Sequence, residues 1–197
     1  MTAGRKVLTA SFIALIAAKL MPLWHLQLPA WHAYIDMDRA LALIGFLAAW
    51  MREARPDATT VRRSLALFFG GLGVLLATLA IAWSAGFVPS HFLVKFAILY
   101  FMTALVEEII FRGFLAEWMI GRWGVVRAAL GSSAVFALVH PAAYVYPVYG
   151  GLVFLTGLLC FIFYWRFRRT HDVAEGVAAA TFAHATVILL GMMAGII

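Results

Sequence analysis

Apolar runs long enough to cross a membrane recur along almost the whole chain, near residues 7–24, 33–51, 64–87, 92–118, 126–143, 148–165 and 173–195. Short clusters of charge, proline and glycine separate them. A hydrocarbon layer roughly 30 Å thick needs about 20 helical residues at about 1.5 Å each. Seven such runs in 197 residues leave room only for short loops. Apolar residues make up 65% of the chain and charged residues 12%, whereas soluble domains hold about 45–50% and about 25%. A soluble fold of this size could not hide that much apolar surface. The expected fold is all-α: one integral membrane domain over residues 1–197, a polytopic bundle of about seven transmembrane helices in a lipid bilayer.

The second run departs from this pattern. Asp36, Asp38 and Arg39 leave only Ala40 to Met51 continuously apolar, which is short for a span. It is expected to begin at the interface, or to dip in and bury against its neighbours. Arg5 and Lys6 precede the first run, but no small-residue cleavage site follows and similar runs recur downstream. That run therefore reads as a retained span. Cys160 is the single cysteine, so no internal disulfide is possible, and it reads as a packing residue.

The net charge of +6 would suggest nucleic acid in a soluble protein. Here the basic residues lie between apolar runs, where they set orientation, and nucleic acid is excluded as a partner. Arg5, Lys6, Arg52, Arg55, Arg62, Arg63, Arg122, Arg127, Arg166, Arg168 and Arg169 collect on one side, 11 of the 15 basic residues. Short basic loops stay cytoplasmic. The amino terminus is therefore expected inside and the carboxyl terminus outside.

Five ionisable groups fall well inside apolar runs: Glu107, Glu108, Arg112, His140 and His184. A charge at mid-membrane costs several kcal/mol unless paired or hydrated, so such residues point to function. Depth follows from the topology and the helical rise. Glu107 lies 11 residues, roughly 16 Å, from the inner boundary near Trp118. His140 and His184 each lie 13 residues, roughly 20 Å, above theirs, near Arg127 and His171. Three polar groups on three helices thus converge near the middle of the bilayer.

Helical spacing separates their roles. Glu108 and Arg112, at i and i+4, share a face and can offset each other's burial. Glu107 points about 100° away and is left for chemistry. A purely structural ion cluster is the alternative. A carboxylate in such a place suits a general base that takes a proton from water. Nearby imidazoles could hold that water or donate to an oxyanion. Peptide hydrolysis within the membrane is the reaction this set could support.

The stretch Glu107-Glu108-Ile-Ile-Phe-Arg112 resembles the EExxxR motif of the CAAX-protease and bacteriocin-processing family of glutamic-type intramembrane endopeptidases. Phe136-Ala-Leu-Val-His140 is similar to its FxxxH motif, and the resemblance covers residues from about 90 to 190. It implies Glu107 as the catalytic carboxylate, His140 helping to activate water, and His184 contributing to an oxyanion hole. Glu108, Arg112 and Phe136 would support them. The family's last motif is HxxxN, and this chain has Ile188 at its fourth position, with Thr186 and Tyr100 as candidate replacement donors. The implied substrate is a membrane-tethered protein or peptide cut near its carboxyl terminus, as in the sorting of surface proteins, and the implied location is a bacterial inner membrane.

Two histidines and a glutamate would also make a zinc set. No HExxH occurs and no two of the three share a predicted helix, so the expectation is no metal and no cofactor, with a zinc-dependent protease as the alternative. A transporter using Glu and His as a proton relay, or a non-catalytic immunity protein, is the competing class.

Overall fold

The computed structural model describes residues 9–10, 12–13, 27–30, 33–36, 57–87, 100–140 and 142–194. The chain divides into two compact units, residues 1–56 and 57–197. In the first, Thr9, Ala10, Phe12 and Ile13 are helical. The remainder of the expected first run, and residues 37–51 of the second, lie outside the described residues.

Residues 33–36, expected to open the second span as helix, instead form a strand. β1 (Gln27–Ala30) and β2 (Ala33–Asp36) pair antiparallel, Gln27 opposite Asp36 and Ala30 opposite Ala33. The sequence accounts for it. Tyr34 and Ile35 are strand formers, and Pro29 is tolerated because both strands of a two-stranded ribbon are edges.

The second unit is helical throughout its described elements. α1 (Ala58–Ser84) is followed by α2 (Phe101–Glu108), a π-helical segment (Ile109–Ala116) and α3 (Glu117–Leu138). Then come the single turn α4 (Ala142–Val145), α5 (Pro147–Thr170) and α6 (Val173–Met193). Among the described residues, three stretches are long and apolar enough to cross a membrane: Val61–Ser84, Pro147–Thr170 and Val173–Gly191. They match three of the expected spans.

Local chemistry sets the helix ends. α1 closes with Gly86 at φ +80°, its N–H donating to Trp83 O and that of Phe87 to Ala82 O, the paired bonds of a Schellman motif. Pro147 opens α5, where its missing N–H costs nothing. Asp172 caps α6, its Oδ1 accepting from the Ala174 N–H at 2.5 Å. α3 is broken at Gly124 (φ 78°, ψ 172°). Its second limb folds back on the first, since a Cβ on Gly131 would stand 3.1 Å from Met119 Sδ. This reversal separates the expected fourth and fifth runs.

That φ/ψ pair is open to glycine almost alone, so Gly124→Ala should cost on the order of 1–3 kcal/mol. No atom lies within 4 Å of a Cβ added at Gly124 or at Gly121, so the cost at Gly124 is backbone conformation and nothing else. Gly121→Ala, within the helix, should instead be neutral or stabilising by up to about 1 kcal/mol. Thermal unfolding in detergent would read both, and equal midpoints would refute the assignment.

The core joins α1, α2 and α6 through Leu75, Leu79, Phe101, Ala104, Ala185 and Leu189. Among the three glycines of α1, only Gly71 permits a close approach: a Cβ there would meet Phe182 Cδ2 at 2.8 Å, while Gly70 and Gly73 have nothing within 4 Å. α5 meets α3 through Gly157, whose absent Cβ would lie 3.0 Å from that of Ser133. Toward the other end of α5, Glu117 accepts from Tyr164 Oη (2.5 Å) and from Arg168 Nε and Nη2 (2.8 and 3.0 Å). The helices are thus pinned around the depth where Glu107 and Glu108 end α2.

Candidate active site

Glu107 and Glu108 are the last two residues of α2, and Arg112 sits in the π segment that follows. Glu108 and Arg112 are both fully buried. Arg112 Nη1 donates to Glu108 Oε1 at 3.2 Å, and Nε lies 3.1 Å from Oε2 as an ion-pair contact. Arg112 Nη2 also donates to Gly157 O at 2.7 Å. A helix carbonyl is open to that bond because Gly157 has no side chain to hold α3 and α5 apart. Two charges that would be prohibitive singly are therefore paired and hydrogen-bonded.

Glu107 points elsewhere, as its neighbouring position on the helix requires. Its Oε2 lies 3.9 Å from His140 Nε2 and 4.0 Å from His184 Nε2. The expected convergence of Glu107, His140 and His184 is thus present in the fold. One detail differs: His140 is not inside a helix. α3 ends at Leu138 and His140 follows its cap, in the break before α4. The sequence explains the break, because Pro141 follows and disfavours helical backbone in the residue before it.

The other ring nitrogens are occupied. His140 Nδ1 lies 2.7 Å from Phe136 O, and His184 Nδ1 lies 2.9 Å from Glu108 Oε1. A carbonyl oxygen only accepts, so His140 carries a proton on Nδ1 and presents its Nε2 on the side of Glu107. Phe136 serves as the platform. Its ring centroid is 4.7 Å from that of His140 and 5.4 Å from that of His184, with Arg112 Cζ 4.8 Å away. A guanidinium over a ring face gains cation–π energy in a dry site.

His140 and His184 border a cavity of about 520 Å³ lined chiefly by α5 and α6, including Leu152, Leu159, Val187 and Ile188. Among its described lining residues, only those two histidines, Tyr149 and Thr156 bear polar side-chain groups. The expected replacement donors do not line it. Thr186 instead donates to Phe182 O at 2.8 Å, within its own helix, and Tyr100 packs on the α1–α2–α6 core. Ile188 does line it, presenting an apolar surface one turn beyond His184.

Two neighbours escaped the sequence reading. Gly157 reaches Arg112 across 45 residues. Cys160 is fully buried, and its Sγ lies with ligand atoms of Glu108 and His184 in a group spanning no more than 4.8 Å. Neither carries a local signal, because both contacts arise from packing between helices.

No curated protein and no solved structure matches the chain. The family described as Rce1-like, type II CAAX prenyl endopeptidase, does match, over residues 89–190. That span runs through every residue of the cluster and covers just over half of the 197 residues, so the chain belongs to the Rce1-like type II CAAX prenyl endopeptidase family.

Proposed function

We propose that this chain is an intramembrane endopeptidase in which Glu107 activates water to hydrolyse a peptide bond near the carboxyl terminus of a membrane-tethered protein. Membership of a protease family and helices apolar enough to span a bilayer support the setting. The single observation that carries the chemistry is the convergence of Glu107 Oε2 with His140 Nε2 and His184 Nε2, at 3.9 and 4.0 Å, beside an apolar cavity.

A water at about 2.8 Å from both Glu107 Oε2 and His140 Nε2 bridges their 3.9 Å separation. Each of these atoms accepts one of its protons, which turns an oxygen lone pair outward. As that lone pair attacks the scissile carbonyl, Glu107 takes the proton and the carbonyl oxygen gains the negative charge. His184 stands on the oxyanion side. Collapse of the tetrahedral intermediate breaks the C–N bond, and Glu107 returns its proton to the leaving amine.

Zinc would use the same three side chains. Bonds of about 2.0–2.1 Å give tetrahedral edges of about 3.3 Å, about 0.6 Å shorter than the 3.9 and 4.0 Å here. The distribution of basic residues supports an inner-membrane protein with its amino terminus in the cytoplasm and its carboxyl terminus outside. Ile188 favours one competing reading, a catalytically silent relative, because it places an apolar wall where a donor to the substrate would be useful.

Purified protein in vesicles, incubated with a panel of membrane-tethered peptides with and without a zinc chelator, tests these readings together. The expected result is cleavage near the peptide carboxyl terminus, unchanged by chelator, from protein without stoichiometric zinc. Cleavage lost to chelator and restored by zinc would establish the metal enzyme. Absence of cleavage across the panel would establish the silent relative.

A further inference from the structure

The cavity beside the histidines has a direction. Its α5 wall runs from Tyr149 to Leu159 and its α6 wall from His184 to Gly191, with Ala194 just beyond. On both helices this is the half farther from the loop that joins them, where Arg168 and Arg169 end α5. His184 stands at the mid-helix end, with His140 and the Phe136 ring beside it. From Leu159 to Tyr149 is ten residues of α5, roughly 15 Å. That is about half of a hydrocarbon layer roughly 30 Å thick.

Along this length the wall is aliphatic, and the described lining residues include no Lys, Arg, Asp or Glu. Leu152, Leu155 and Leu190 are 51%, 59% and 59% exposed, so the cavity is open along its side as well as bordered by the histidines. A chain whose carbonyl is held at His140 and His184 must continue into neighbouring space, and this cavity borders both rings. Two hydroxyls, of Thr156 and Tyr149, interrupt the apolar wall. Thr156 Oγ1 gives its hydrogen to Leu152 O at 2.9 Å, which leaves its oxygen to accept. A main-chain N–H brought into an apolar cavity needs such an acceptor, whereas a hydrocarbon tail does not.

We propose that the cavity holds a stretch of the substrate polypeptide itself, apolar and uncharged, which flanks the scissile bond and lies in the half of the bilayer away from Arg168 and Arg169. Thr156 Oγ1 accepts one of its main-chain N–H groups and is a positioning residue. This rests on the endopeptidase reading and names its substrate class: a membrane-spanning segment cut within the bilayer. A carboxylate in that stretch would lie against leucines with no cation among the described lining residues. At that depth the discrimination against it is on the order of 10²-fold.

The test uses the full chain in phospholipid vesicles, with a benzophenone-bearing residue in place of Leu155 as a photo-cross-linker. The probe is a lysine-flanked peptide of about 20 leucine and alanine residues, long enough to span. It should be labelled from position 155. The same peptide with a central aspartate should be labelled on the order of 10²-fold less. Both are normalised to labelling from position 74, where Val74 is exposed on α1, so that a difference in membrane insertion cancels. A short polar peptide carrying an isoprenoid chain should give no labelling. In Thr156→Val the half-saturating peptide concentration should rise roughly three- to tenfold, and in Thr156→Ser it should return, with unfolding midpoints unchanged. Equal labelling by the aspartate peptide, preference for the isoprenoid peptide, absence of labelling, or an unaltered Thr156→Val would each overturn the proposal. Labelling does not depend on turnover. Labelling without cleavage would therefore remove the endopeptidase reading while supporting this occupant, and cleavage without labelling would do the reverse.

Discussion

Glu107→Gln should lower the rate of peptide cleavage by about 10²–10⁴, the range a positioned general base contributes. The substitution keeps the size of the side chain and removes its basicity. It should leave the unfolding midpoint nearly unchanged, because the buried ion pair with Arg112 belongs to Glu108. Glu107 is partly open, its side chain 12% exposed, whereas Glu108 is at 0%. Adjacent glutamates should therefore fail differently, Glu107 in turnover alone and Glu108 in turnover and stability together. Initial rates on a tethered fluorogenic peptide, paired with thermal unfolding of each variant, would check this. A Glu107→Gln protein that still cleaves within tenfold of the native rate would remove Glu107 from the role of base.

Much of this site was legible because membranes make charge expensive. Five ionisable residues in apolar runs drew attention by type alone, and counting residues from loop boundaries placed Glu107, His140 and His184 at similar depth. The i, i+4 relation of Glu108 and Arg112 gave their pairing directly, since it depends on one helix and nothing else. Contacts between helices were not legible. The reach of Glu108 to His184 spans 76 residues, and that of Arg112 to Gly157 spans 45. The π segment likewise has no composition of its own. The placement of His140 beyond the end of α3 was readable from Pro141, but the apolar run continued through that proline and masked the boundary. The pairing of Gln27–Ala30 with Ala33–Asp36 was hidden for a related reason: a four-residue strand is too short for its alternation to compete with a longer apolar pattern.

The other large effect should come from Arg112, and it concerns stability. Arg112→Ala leaves Glu108 fully buried opposite an empty volume and strips the Gly157 carbonyl of its donor. Breaking one side of a buried pair costs about 3–5 kcal/mol, a large share of the 5–15 kcal/mol by which a typical domain is stable. Part of that loss is the charge left behind, not the bond removed. Glu108→Gln/Arg112→Met should therefore be less damaging than the two single changes added together, with the difference measuring the coupling. Recovery should stay incomplete, because Gly157 O still lacks its donor and His184 still lacks its carboxylate. Midpoints of thermal unfolding for Glu108→Gln, Arg112→Met and the double variant give the cycle. Strict additivity would mean that Glu108 and Arg112 do not depend on each other for burial.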